Sequence, residues 1–457
     1  MFGFSIQSIT KSFWRKPYDT SKTSLKSEHF ERYEKLRDQF MIASAALSIR
    51  EIDTWSIAMW LLYYPVRYLD FVMSSHHRFL DRMIARLTQH RVFFPHGFFG
   101  DGWGDVTVSE RIRKIAESDE MKRVHTIKNG IQWMSVKAFP NLKVKLQEGS
   151  FRTTLEEGSV LPECSQTAYF ELVTPLEMKK EKNFDTLVIS LPGTGEHGYG
   201  HRRNTLAIPL ALHGVSTLVL SPLWIVESKE SLDFDCVDIG RSILWETKAS
   251  KSNRIQITPV FFVDLGTAIN LLGILGLVEL VICRLAGSSM GGLHAAMTAS
   301  TYPFDVGVVA WLAPLSGASA FAEGVLSNSC NWSALYNENI DLQDAISNRK
   351  DAIPFSAPST EHMIKVHGDK ESAKQRLVQL LSFTDITNFA PPKRPEATVF
   401  VYGTEDTYVG SSEAQRRKLQ EKWQPMQIRC MKRGHVSGIL LEQEVFQQTI
   451  LQILQIL

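Results

Sequence analysis

From residue 142 onward, short apolar runs bounded by turn residues recur with room for a helix between them. Residues 142–146 alternate in polarity and 168–174 do so loosely, the signature of strands with one face in water. Residues 186–191, 216–221, 278–283 and 306–312 are largely apolar, as strands covered on both faces are. Residues 398–402 and 426–431 continue the series, and 259–275 and 293–300 have the apolar content of packed helices. Strands alternating with helices define an α/β protein with a mostly parallel sheet between two helical layers. Between 316 and 394 the strand pattern stops and helical patterns take over. A connection that long needs structure of its own, so a helical cap insertion is expected there.

Residues 28–140 read differently. Polar-apolar periodicity of the helical kind runs through 28–91 and returns in 109–123, either side of a glycine-rich aromatic loop at 94–104. These segments predict a mostly helical N-terminal extension, followed by the α/β domain over 141–457. The first 27 residues form a third region. Phe2, Ile6, Ile9 and Phe13 fall on one helical face, with hydroxyls and Lys11, Arg15 and Lys16 around it, and Asp19 is the sole acid before Glu28. A basic, acid-poor amphipathic start is the pattern of a mitochondrial targeting segment, whereas Gln7, Ser8, Thr10 and Lys11 break the apolar core of about 7–15 residues that a secretory signal needs. The alternative is an ordinary basic tail on a cytoplasmic or secreted protein.

Composition narrows the function classes. A 44% hydrophobic content over 457 residues supports a large core, and a formal net charge of +1 gives no global attraction for nucleic acid. The five cysteines show no paired spacing, and His76, His77, His90 and His96 have no coherent ligand spacing, so neither a disulfide framework nor a metal is expected. No stretch reaches the roughly 20 apolar residues that a membrane span requires. Residues 55–64 come nearest and are stopped by Pro65 and Arg67. Their Trp and Tyr content would suit either a peripheral membrane contact or a helix packed on the core.

The chemistry concentrates at strand ends. Gly287-Ser288-Ser289-Met290-Gly291 follows an apolar strand and precedes a helix, the context of a nucleophile elbow, which makes Ser289 the candidate nucleophile. A second strand breaks at Gly403 and presents Asp406, with Glu405 as the reserve acid, and a third ends in Gly434-His435. Ser, then Asp, then His is the chain order of α/β-hydrolases. The glycine-rich loop Gly193-Thr194-Gly195-Glu196-His197 follows the strand at 186–191, where that fold draws one of its oxyanion donors. The amide of Met290 and that of Thr194 are the expected pair. No Gly-Lys-Ser/Thr follows, so a nucleotide loop is not expected. His197, His201, Arg202 and Arg203 lie just beyond, either as a phosphate-headgroup site or as braces holding the loop through carboxylates such as Glu196 or Asp235.

The segments GTGEHGYGHRRN, GSSMGGLHAAMTAS and GVLSNSCNWSAL resemble the family of α/β-hydrolase domain-containing protein 18, from about Lys143 onward. In that family an aromatic commonly precedes the arginines and a histidine follows the paired glycines, where this chain has Gly200-His201 and Leu293-His294. The resemblance implies the α/β-hydrolase fold and a serine hydrolase; no cofactor is expected. It also implies lipid acyl esters as substrates, mitochondrial phospholipid of the cardiolipin type among them. Acyl transfer to another alcohol would use the same residues. A catalytically silent hydrolase-fold protein that binds a lipid or a partner is the reading from another class, and a peptidase has no positive support.

Overall fold

A computed structural model describes residues 63, 65–68, 77–88, 98–99, 131–152, 167–176, 186–194, 196, 198–221, 282–301, 305–336, 370–381, 384–409 and 411–456, all within the compact unit Glu51–Leu457. The expected targeting segment 1–27, nearly all of 55–64, the helices at 109–123 and 259–275, and Gly195, His197 and Asp235 lie outside the described residues.

The described strands form one nine-stranded sheet. In chain order they are β1 (Ile131–Phe139), β2 (Val144–Arg152), β3 (Thr167–Pro175), β4 (Thr186–Leu191), β5 (Ser216–Leu220), β6 (Ile282–Ser288), β7 (Val306–Trp311), β8 (Thr398–Gly403) and β9 (Gln427–Met431). Their spatial order is β1-β2-β3-β5-β4-β6-β7-β8-β9. β1, β2, β3 and β5 pair antiparallel, and every pair from β5 across to β9 is parallel. The strand order reverses at β4, which lies between β5 and β6. In open α/β sheets such a switch point opens a crevice at the carboxyl ends of the strands.

Successive side chains on a strand point to opposite faces, and the parallel strands use both. Ile189, Leu285, Val308 and Phe400 belong to one apolar layer with Leu293 and Met297 of helix Met290–Thr301. Val188, Ala286, Val309 and Val399 belong to the other, with Leu206 and Leu210 and with Phe446, Ile450 and Ile453 of helix Gln443–Leu454. Phe446 stacks on Trp311 with ring centroids 5.1 Å apart.

Two differences from the sequence reading have physical reasons. The sheet begins at Ile131, inside the segment expected to be helical. β1 is an edge strand whose residues are mostly exposed, so it lacks the alternation that marks a half-buried strand. β6 runs to Ser288, and its Arg284 is fully buried, donating from Nη2 to the carbonyl of Ile453 at 3.0 Å. Helix α1 (His77–Thr88), from the N-terminal extension, packs its Leu80 and Ile84 with Val436 and Leu440 just after the Gly-His turn. Within 316–394 the described residues carry a π-helical turn at Ser319–Glu323, a 3-10 turn at Val325–Ser329 and helix Lys370–Leu381, in keeping with a helical insertion.

Candidate active site

Ser289 stands between β6 and helix Met290–Thr301 at φ +55°. That left-handed conformation costs an L-residue about 1–2 kcal/mol. Its amide is held by the carbonyl of Trp311 at 2.8 Å. The flanking glycines explain how so sharp a turn packs. A Cβ on Gly287 would lie 2.3 Å from the backbone carbon of Gly291, and one on Gly291 would lie 2.5 Å from the carbonyl oxygen of Leu191. The elbow therefore closes on the end of β4, next to the glycine-rich loop.

Three strand ends converge there. His435 Nε2 is 3.0 Å from Ser289 Oγ, and His435 Nδ1 is 2.7 Å from Asp406 Oδ2. A carboxylate only accepts, so Nδ1 carries the proton and Nε2 is left to accept from the serine hydroxyl. The other oxygen, Asp406 Oδ1, accepts the amides of Tyr408 and Val409 at 2.8 and 3.2 Å, which fixes the carboxylate plane. Both side chains of the His435–Asp406 pair are almost fully buried, 6% and 4% exposed, so their attraction is little screened. Burial pulls the His435 imidazole down, but the charge and hydrogen bond of Asp406, with the charge of Asp81 added, hold it above the usual histidine value. Glu405, the reserve acid, instead pairs with Arg78 at 2.9 Å.

Thr194 and Met290 both line the cavity into which Ser289 opens, and its remaining wall includes Phe321, Leu326 and Val409. The serine thus opens onto a cavity with a largely apolar wall. The two arginines beyond the loop are held by other partners. Arg202 donates from Nε to Glu196 at 2.8 Å and from its two terminal nitrogens to the carbonyls of Ser190, Gly198 and Leu220. Glu196 in turn accepts the amide of Gly193 at 2.9 Å. Arg203 pairs with Glu171 of β3 at 2.8 Å, with both side chains buried. Arg202 thus braces the loop through Glu196, whereas Arg203 is tied to β3. His201 borders a second cavity, with Thr205, Gln443 and Phe446, that shares no residue with the one at Ser289. Among the described residues, no three His, Cys, Asp or Glu side chains gather in a way that could hold a metal ion.

Two residues at the site have no motif to announce them. Tyr408 stacks on the His435 ring. Asp81 of α1 lies beneath the histidine turn and accepts the amides of His435 and Val436, each at 2.9 Å.

A doubly covered, mostly parallel sheet with serine, acid and histidine at three strand ends defines the α/β-hydrolase class. Residues 96–230 and 273–456 match the family "Alpha/beta hydrolase domain containing 18", and the chain belongs to that family. Among solved structures it is similar to acetyl xylan esterase 1 from Thermoanaerobacterium sp. JW/SL YS485, at 14% identity over 78% of this chain and 96% of that one, with a TM-score of 0.41. The rice cell wall degrading esterase LipA from Xanthomonas oryzae matches at 12% identity over 71% of this chain and 97% of its own, with a TM-score of 0.39. Dienelactone hydrolase from Anabaena variabilis ATCC 29413 matches at 13% identity over 67% and 98%, with a TM-score of 0.34.

Proposed function

We propose that the protein is a serine hydrolase that cleaves lipid acyl esters through Ser289, His435 and Asp406. The observation that carries the reading is the continuous line of hydrogen-bond contacts from Asp406 Oδ2 through both ring nitrogens of His435 to Ser289 Oγ, on an elbow at positive φ. His435 Nε2 takes the serine proton as Oγ attacks the ester carbonyl, and Asp406 stabilises the imidazolium. The amides of Met290 and Thr194 hold the oxyanion, a contribution of about 3–4 kcal/mol per donor in comparable sites. The imidazolium then gives its proton to the departing alkoxide, which leaves as the alcohol. Water attacks the acyl-serine with His435 again as base, releasing the carboxylic acid and restoring the hydroxyl.

The wall of Phe321, Leu326 and Val409 beside the serine favours an apolar acyl group. Within the lipid esters we propose a phospholipid, the cardiolipin type included, on the family likeness alone, since Arg202 and Arg203 are occupied by Glu196 and Glu171. The same reading includes peripheral contact with a membrane and a mitochondrial destination directed by residues 1–27. A fluorescent reporter carrying that segment should co-locate with mitochondria and disperse when Lys11, Arg15 and Lys16 become Gln.

Fluorophosphonate labelling with peptide mapping tests the chemistry. Ser289 should carry the label, and Ser289→Ala should remove both label and ester cleavage while the thermal transition stays cooperative. Turnover of a short-chain nitrophenyl ester by Ser289→Ala at the wild-type rate would refute the assignment.

A further inference from the structure

Asp81 is wholly buried, yet it belongs to α1, more than 300 residues before the amides its carboxylate holds. Oδ2 accepts the amide of His435 at 2.9 Å and that of Thr407, the residue after Asp406, at 3.2 Å. The Thr407 hydroxyl adds a longer contact at 3.4 Å, and Oδ1 accepts the amide of Val436 at 2.9 Å. A single carboxylate therefore grips the backbone of the histidine turn and of the acid turn together.

Local sequence makes room for this grip. His435 opens helix His435–Leu441, and the residue before it is Gly434, which has no side chain with which to cap the helix. A Cβ on Gly434 would sit 2.9 Å from both oxygens of Asp81. The first amides of a helix lack partners within it, and here the acceptor comes from another part of the chain. Two further contacts hold α1 in the same place. The Ser437 hydroxyl lies 3.1 Å from His77 Nδ1, and Arg78 pairs with Glu405 at 2.9 Å.

Resting on the reading of Ser289, His435 and Asp406 as a catalytic triad, we propose that Asp81 is a positioning residue of the active site. It sets the histidine and acid turns in register, so that proton transfer from Ser289 meets an imidazole already aligned. Burial and the neighbouring Asp406 push the Asp81 carboxyl above its usual value, against the pull of His435 and of the amides it accepts; ionised, it favours the imidazolium that forms during catalysis. Around Asp81 and His435 the titratable groups are Asp406, Glu405 and Tyr408 on the acid turn, Arg433 on the histidine turn, and His77 and Arg78 on α1.

The test compares the full-length wild type with Asp81→Asn and Gly434→Ala on a nitrophenyl ester. Asparagine keeps the shape but turns one acceptor into a donor facing amide donors, and the alanine methyl pushes the carboxylate aside without removing it. Each variant should lose about 10- to 100-fold in kcat with KM nearly unchanged, the scale of a misaligned general base. In Asp81→Asn the acid limb of the pH–rate profile should move to lower pH, a shift that a purely architectural role would not produce. Gly434→Ala should add little in the Asp81→Asn background, because both changes break the same contact. Wild-type kcat and pH profile in a folded Asp81→Asn protein would overturn the proposal, as would full additivity of the two changes. If Asp81→Asn fails to fold, Gly434→Ala alone decides on the same criteria, and failure of both to fold would make Asp81 a folding element and end the proposal. Fluorophosphonate labelling separates the two levels. No label on wild-type Ser289 removes the underlying reading, whereas label with unchanged rates in Asp81→Asn removes the positioning role alone.

Discussion

The ring of Tyr408 lies flat against the imidazole of His435, with centroids 4.8 Å apart and planes inclined by 19°. Tyr408 also donates its amide to Asp406 Oδ1. One short turn therefore holds the histidine by its edge, through the carboxylate, and by its face, through the phenol ring. Aromatic pairs of this kind contribute about 0.5–1.5 kcal/mol beyond buried area. Tyr408→Ala is accordingly expected to lower kcat by about 2- to 10-fold, as steady-state kinetics on a soluble ester would show.

The acid limb of the pH–rate profile should report His435. Only the neutral ring can accept the serine proton, and the folded pKa lies above the ordinary value. Activity should therefore fall, as pH is lowered, with a midpoint above the roughly 6.5 of a free imidazole. Removing the anion in Asp406→Asn should move any residual midpoint downward. The pH dependence of kcat/KM measures this for the free enzyme, and a wild-type midpoint below 6 would contradict the geometry.

The two adjacent acids should separate cleanly. Asp406→Asn reverses the tautomer preference of His435, for which losses of about 10,000-fold are the expected scale. Glu405→Gln breaks only the partly exposed pair with Arg78. Such pairs contribute about 0–1 kcal/mol, and a change of less than about twofold in kcat/KM is expected. Parallel kinetics and chemical denaturation of the two variants settle which acid serves the histidine.

Much of this site was legible because its signals are local. Gly287 and Gly291 are required by contacts within a few residues of Ser289 or at the adjoining strand end, and Gly403 and Gly434 each mark the close of a strand. Asp81 carries no such mark. In the helix HRFLDRMIARLT it is one polar residue among several, and only the fold brings it to His435. The arginines after the glycine-rich loop were ambiguous for a related reason. A paired Arg-Arg suits a phosphate as well as a carboxylate, and Glu171, the partner of Arg203, lies on a different strand. β1 escaped because an edge strand exposed on both faces leaves no period-two pattern.

Bracing by Arg202 makes a prediction opposite to headgroup recognition. Arg202→Gln breaks a buried pair with Glu196 and releases three carbonyls. Losing one partner of a buried pair costs about 3–5 kcal/mol. Stability in urea should drop on that scale, and activity on a phospholipid and on a neutral glyceride of matched chain length should fall together. Selective loss on the phospholipid would restore a headgroup role.

The bond between Asp81 and the His435 amide joins positions 354 residues apart. Contacts so distant in sequence form late, after nearer ones have shortened the effective loop between them. During refolding, secondary structure should return first, with hydrolytic activity lagging until α1 docks against the histidine turn. Turnover would then serve as a clock for the final stage of folding, and collapsed intermediates with every motif in place would be unable to turn over an ester.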